Sequence, residues 1–556
     1  MRRSRSFFAV LSGAVLVSCS DGTGPGTDPP LECSAASTRA LQVGEHQILD
    51  PTTSGACLRL PAAGPQGAEH LYIPLATAGQ ETPDGVSAPY LLSGAVPGAT
   101  AAAPQLPAPR LSAFQSPLPA QAFHSLLRAR EKSLAADVSG ALFARGRTEA
   151  AKAAPPVVGD QRTFNVCSSS TCTQFVQATA TARSVGERVA IFVDNDAPAG
   201  GYTAPDLDKV RTLFDQYLYP IDTVAFGRES DVDGNGVVVV LLTHRVNALS
   251  PDCSSTGRII LGYFFGADLM PPGPRNPGSN NGEVFYGLVP DVDNTRCQVS
   301  KEEANSKLPA TFIHEFQHMI SYNQHVLMRN GSAEDTWLNE GLSHFAEELG
   351  GRQVPDAQCP TASSCAEEFL GLGDLLNAFE YLASPEDFYL IEPGNSTGKL
   401  EERGANWLFV RWLADNFAGT TVLGTELTRA LVATNQVGSA NVVARTGVDF
   451  STLVSEWQLT NYVDDLPGFS PGSSRLHYTS WNFRAAAEPN GGFPLVPDST
   501  DGIAYGRSGT LRAGSGRHVL VIQAPGGAAV DLRITGSNGS AQPASIAPRI
   551  ALVRIR

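Results

Sequence analysis

Near the start of the chain, short apolar runs alternate with Gly, Pro and Ser: Leu41-Gln42-Val43, Cys57-Leu58-Arg59-Leu60 and Leu71-Tyr72-Ile73-Pro74-Leu75. Short runs bounded by turn formers predict strands, so residues 31–95 read as a small β-sandwich module. An Ala/Pro-rich stretch over 96–122 reads as a linker. A helix is predicted from Phe123 to about Ala151, with Glu131, Lys132 and Glu149 on its solvated side. Further strands are predicted over 189–193, 237–243, 257–264 and 283–289. Between the first two, residues 205–218 predict an amphipathic helix, with Leu207, Val210, Leu213, Phe214 and Leu218 at helical spacing. From Pro309, placed in a first helical turn, to about Asp465 the period is helical again. Within that stretch Ala405, Leu408, Phe409, Trp412 and Leu413 form a buried stripe. Residues 466–556 return to strand signals at 510–512, 518–522, 530–534 and 550–555, which predict a C-terminal β-sandwich.

The first eighteen residues change the picture of where the protein works. Arg2, Arg3 and Arg5 precede a short apolar run over 7–17, the layout of an export signal and too short to span a membrane. Leu16-Val17-Ser18-Cys19 resembles a bacterial lipobox, which implies a lipid anchor at Cys19, with 19–30 as a flexible tether. The expected location is the outer membrane or cell surface, with release as a further option. Cysteine usage agrees with export. With Cys19 set aside, eight cysteines remain in adjacent couples: Cys33 and Cys57, Cys167 and Cys172, Cys253 and Cys297, Cys359 and Cys365. Neighbour pairing is the simplest arrangement, and a metal cluster at Cys167 and Cys172 is the alternative. The 556 residues carry 55 acidic and 40 basic side chains, a net charge of −15, which argues against a broad nucleic-acid surface. The 54 Gly and 39 Pro point to long loops and β-rich modules, not a mainly helical protein.

One stretch carries chemistry: Thr311-Phe312-Ile313-His314-Glu315-Phe316-Gln317-His318-Met319-Ile320. It contains H-E-x-x-H within a helical apolar pattern. Side chains four residues apart share a helix face, so His314 and His318 can aim at one ion, with Glu315 beside them as general base. A second helix, begun near 332–335 and closed at Gly350-Gly351, carries Trp337-Leu338-Asn339-Glu340-Gly341-Leu342-Ser343-His344. Glu340 lies 22 residues after His318, enough for the chain to turn and cross beneath. Two imidazoles and one carboxylate make a three-ligand zinc set that leaves a position for water. Four of the ten histidines, His314, His318, His325 and His344, fall within 31 residues.

These two motifs resemble those of the gluzincin zinc metallopeptidases. The wider text over 310–320 and 337–343 is most similar to the hyicolysin-like bacterial neutral metallopeptidases. The resemblance implies an α+β fold, a mixed β-sheet over a helical lobe, here spanning 123–465 with a leading helix and flanked by the two small β-sandwich modules. It implies that His314, His318 and Glu340 bind Zn2+ and that Glu315 activates water for attack on a peptide bond. The His318-to-Glu340 spacing is longer than in the aminopeptidase-N type, and the G-x-M-E-N motif of those enzymes is absent, which favours an endopeptidase. His344, Tyr322 and Tyr462 are candidates for the donor that steadies the oxyanion. Glu347, on the Glu340 face seven residues on, either supports a ligating histidine or stands in solvent. The 283–289 strand is a candidate edge for substrate, or else an ordinary core strand.

Asp231-Val232-Asp233-Gly234-Asn235-Gly236 matches the first half of a Ca2+ loop, with Leu242 where the twelfth-position Glu belongs. A tight turn is the preferred reading, and a Ca2+ site completed by a distant carboxylate is the other. Arg403 is expected in a surface ion pair or reaching the cleft. The sequence thus reads as a zinc endopeptidase acting on proteins or peptides. The alternatives are a surface-anchored binding or adhesion protein with a structural or degenerate zinc site, and a zinc hydrolase of a non-peptide bond. Residues 31–150 read equally as a pro-region or as a permanent module.

Overall fold

The computed structural model describes residues 36–54, 56–98, 119–138, 153–250, 259–359, 364–371, 373–419 and 423–556. The expected export signal, Cys19 and tether lie outside these residues, as do Cys33, Glu149 and Cys253. Among the described residues no helix is long and apolar enough to cross a membrane.

The strand-forming segments at the two ends of the chain build one sandwich. Its first sheet runs in the order Ser37–Thr38, Cys57–Leu60, Val530–Thr535, Ser87–Ala95, Tyr505–Arg512. Its second runs Asp498–Thr500, Val519–Gln523, Ala68–Ala76, Pro548–Arg554, His46–Leu49. Strands from both ends are therefore interleaved within each sheet, where two independent modules were expected. The physical reason is that each short strand buries one face only when it is paired on both sides. Leu58, Leu92, Leu511 and Leu532 of one sheet meet Tyr72, Val521, Ile550 and Leu552 of the other in a shared core. Arg59 and Asp531 stand opposite each other and share two hydrogen bonds of 2.7 and 2.8 Å across the join. The 41–43 run, expected as a strand, is loop and turn; only Leu41 of the three is buried.

The central six-stranded sheet has the order Gly262–Phe264, Val284–Gly287, Val238–Leu242, Val189–Asp194, Phe175–Val185, Gln161–Cys167. The second to fourth strands are mutually parallel and the outer pairings antiparallel, a mixed sheet. Every residue of Val238–Leu242 is buried, as a strand covered on both faces requires. On one face lies the Lys301–Tyr322 helix, whose Phe312 ring stacks on Phe285 of the sheet at 4.9 Å and on Phe214 at 4.3 Å. Ser300 caps this helix by accepting from Glu303 N–H. Pro309 is consequently inside the helix, not in its first turn, because the acidic first turn at Glu302 and Glu303 already starts the helix.

The Thr336–Gln353 helix crosses beneath and packs on the Leu400–Phe417 helix. Gly341 lies at that crossing: a Cβ there would stand 2.8 Å from Asn406 O. Gly350 and Gly351, expected to close the helix, are inside it, since Gly350 makes room for the Phe369 ring. The leading helix is Pro119–Val138. Its Glu131, expected in solvent, is 2 % exposed. Cys167–Cys172 and Cys359–Cys365 are disulfides, which removes the metal-cluster alternative; Cys57 and Cys297 are disulfide-bonded as well.

Leu532 is fully buried between strands contributed by the other end of the chain. Leu532→Ala is expected to cost about 2–5 kcal/mol in chemical denaturation followed by circular dichroism.

Candidate metal centre

The two long helices meet where their motifs lie. Apolar residues on either side of the H-E-x-x-H pair, Ile313, Phe316, Met319 and Ile320, belong to the core beneath the sheet. That packing turns His314 and His318 toward the second helix. His314 Nε2 lies 3.7 Å and His318 Nε2 3.5 Å from the two oxygens of Glu340. One ligand atom from each of the three falls within 4.8 Å of the other two. Zinc bonds of about 2.0–2.1 Å set at tetrahedral angles place ligand atoms about 3.4 Å apart, so this donor set fits the ion. The ligands are 8, 2 and 2 % exposed in chain order.

The surroundings tune these groups. His318 is held well below its ordinary pKa, first by burial and then by the positive charge of Arg128. It therefore presents a neutral lone pair, as a metal ligand must. His314 Nδ1 lies 2.7 Å from Glu347 Oε1, the carboxylate–imidazole contact that orients a ligating ring. Ser343 Oγ stands 3.1 Å from His318 Nδ1 and plays the corresponding part there. Glu315 is 2 % exposed, and burial raises its pKa. One of its oxygens accepts from Phe264 N–H at 2.9 Å, and the other lies 3.8 Å from His124 Nδ1. Arg403 reaches the centre, with Nε 3.8 Å from Glu340 Oε2.

His344 stands next to the group, its ring centroid 4.8 Å from that of His314. Its Nδ1 is 2.7 Å from Asp374 and 3.0 Å from Glu347. Burial alone would lower its pKa, but those two carboxylates push it up to about 10. Tyr322 lines a small cavity with Arg128, Glu131, His318 and Asn339. Tyr462 is not brought to this group: its partners are Arg484, over the ring at 5.5 Å, and the charge of Glu69 beside the sandwich. His325 is also elsewhere, 3.5 Å from Glu334. The strings G-x-S-x-G at 394–398 and 468–472 follow no strand, so neither forms a nucleophile elbow.

A second cluster joins Asp231, Asp233 and Glu283, with ligand atoms within 4.8 Å of one another. Glu283 thus brings a distant carboxylate to the loop sequence. Asn235 is not one of the three, since its Oδ1 accepts from Val237 N–H.

The 283–289 strand, expected either as a substrate edge or as an ordinary core strand, is observed as Val284–Gly287 and is interior, a core strand. Among the described residues the edge is Gly262–Phe264, which pairs with it on one side. Sequence reasoning also missed His124, Arg128 and Glu131 of the leading helix. Their spacing of four and three residues, on a helix face next to Phe123 and Leu127, was the available signal.

No family model matches the chain. Over 138 residues, 24 % of its length, the chain is 32 % identical to the neutral metalloprotease ShpI of Staphylococcus hyicus. The match covers 29 % of that protein, so the chain spans less than a third of the relative's length.

The centre is expected to take up one zinc ion per chain, measured by elemental analysis after dialysis. Glu340→Ala should abolish that uptake, and Glu347→Gln should weaken it by about 10–100-fold in a chelator competition.

Proposed function

We propose that this chain is a zinc-dependent endopeptidase. One observation carries the reading: His314, His318 and Glu340 converge within 4.8 Å, with Glu315 next to His314 in sequence and buried beside them. The partial identity to a bacterial neutral metalloprotease supports the same reading. A zinc ion held by the three ligands supplies Lewis acidity and lowers the pKa of a coordinated water.

The chain's own residues do the rest. Glu315, its pKa raised by burial, accepts the water proton and returns it to the leaving amine. Glu347 holds the His314 ring in place through Nδ1. His344 Nδ1 lies within ion-pair distance of Asp374 and Glu347, neither ring nitrogen makes a hydrogen bond, and Nε2 has no carboxylate beside it among the ion pairs of this ring. That nitrogen is the donor we assign to the developing oxyanion. The Gly262–Phe264 edge offers backbone groups for an extended peptide. Export, with a lipid anchor at Cys19, fits a chain whose described residues include disulfides.

We also assign Ca2+ to the Asp231, Asp233 and Glu283 cluster. Glu283 is 1 % exposed and its Oε2 has no hydrogen-bond partner, which a hard cation would satisfy. Saturating Ca2+ should raise the melting temperature of the chain by several degrees, on the order of what 1–2 kcal/mol of binding gives. Glu283→Gln should remove that shift while leaving zinc content unchanged.

The test of the peptidase is hydrolysis of unfolded casein by the zinc-loaded chain over long incubation. Glu315→Gln should lower the rate by about 100- to 10,000-fold with one zinc still bound. Full turnover in that variant would remove Glu315 from its role.

A further inference from the structure

The candidate centre is buried, and the Pro119–Val138 helix lies against it, Arg128 and Glu131 lining a small cavity with His318. Three side chains four and three residues apart face the cleft. His124 Nδ1 approaches Glu315 to 3.8 Å. Arg128, 4 % exposed, donates from Nη2 to Phe264 O at 2.7 Å. Glu131 accepts from Gly266 N–H at 2.6 Å, and Arg128 Nε lies 3.3 Å from Glu131. The two backbone groups so occupied belong to the strand that is, among the described residues, the edge of the central sheet and to the residues just after it. Phe123 and Leu127 seat the helix in the core against that edge, Phe123 at 5.0 Å from the Tyr263 ring.

The same helix is tied to the opposite side of the cleft. Gln121 O accepts from Thr397 Oγ1, and Ser125 Oγ accepts from Thr397 N–H at 2.9 Å. Thr397 in turn holds Arg403, the residue beside Glu340. Lys132 bridges Glu81 of the N-terminal segment and Asp335, the cap of the Glu340 helix. The helix thus spans from the sheet to the helical lobe across the metal group.

We propose that this helix is an autoinhibitory strap that occupies the edge a peptide substrate would pair with. The inference rests on the endopeptidase reading. An N–H of Gly266 donating to Glu131, and a carbonyl of Phe264 accepting from Arg128, are not available to an incoming strand, so strap and substrate compete. A tethered competitor acts at an effective concentration on the order of millimolar, which favours the closed state. The strap is internal. Residues 36–98, which precede it, supply strands to both sheets of the sandwich and are a permanent part of the fold. Activation therefore displaces or excises a helix and leaves the N-terminal strands where they are.

The experiment uses the full zinc-loaded chain and reads two rates: loss of zinc to 1,10-phenanthroline, and casein hydrolysis. Arg128→Met with Glu131→Gln removes the buried pair with little change of volume. Both rates should rise by about tenfold or more, the effect of losing one or two charge-assisted hydrogen bonds. If circular dichroism shows that this variant does not fold, Lys132→Ala, which loosens the strap at its rim, carries the same two readings. Unchanged rates for both would overturn the strap. Slower hydrolysis with unchanged zinc loss would overturn it too, since Arg128 and Glu131 would then serve catalysis. Faster zinc loss without casein hydrolysis in any chain would show that the helix covers the centre but would sink the endopeptidase and, with it, the inhibitory role of the strap.

Discussion

The constraint on which the rest depends is the burial of several carboxylates around the imidazoles of His314 and His318. Glu340, Glu315 and Glu347 all lie within the same small volume as His314 and His318. Carboxylates so placed repel one another and lose their hydration, so the fold must supply cations and donors. Arg403 stands by Glu340, His344 by Glu347, and the backbone of Phe264 by Glu315. The three ligand groups lie close enough together to fit a metal ion, whose positive charge would add to that balance. The helices are held rigidly enough to keep the arrangement, through Phe312 stacked on the sheet and Gly341 at the crossing with Leu400–Phe417.

The same electrostatic logic explains the cover. Arg128 brings a positive charge to the side of the centre that faces the sheet edge, and burial together with Arg128 keeps His318 neutral. Glu131, pushed up to about 7 by burial, tolerates its position because Arg128 and Gly266 N–H partner it. A buried ion pair of this kind is stable only while its partners stay in place. A helix seated in this way can hold a site shut and still be released by modest changes in its contacts.

The sandwich sets the frame for this arrangement. Its sheets take strands from both ends of the chain, so the sequence between them, with strap, sheet and helices, is an insertion closed at its base. The Phe450–Val463 helix packs on the sandwich strands Ala68–Ala76 and Pro548–Arg554. His518 on the sandwich meets Gln458 O of that helix at 3.0 Å. The sandwich and the helical lobe thus share packing.

The sequence by itself determined the local facts. Spacing of four placed His314 and His318 on one helix face, the W-L-N-E-G string supplied the carboxylate, and Glu347 was legible from the helical period. Strand segments such as 189–193 and 237–243 were legible from their β-branched apolar runs, since backbone sterics and burial act within a few residues. What tertiary structure alone decided was which distant groups share a space. Glu283 reaches a loop fifty residues upstream, the two ends of the chain interleave in two sheets, and His124, Arg128 and Glu131 turn to a cleft instead of to water. A polar residue on an amphipathic helix reads as solvated unless its partner is known. Here the partners were backbone groups at a sheet edge, and no local pattern encodes which element will lie across that edge.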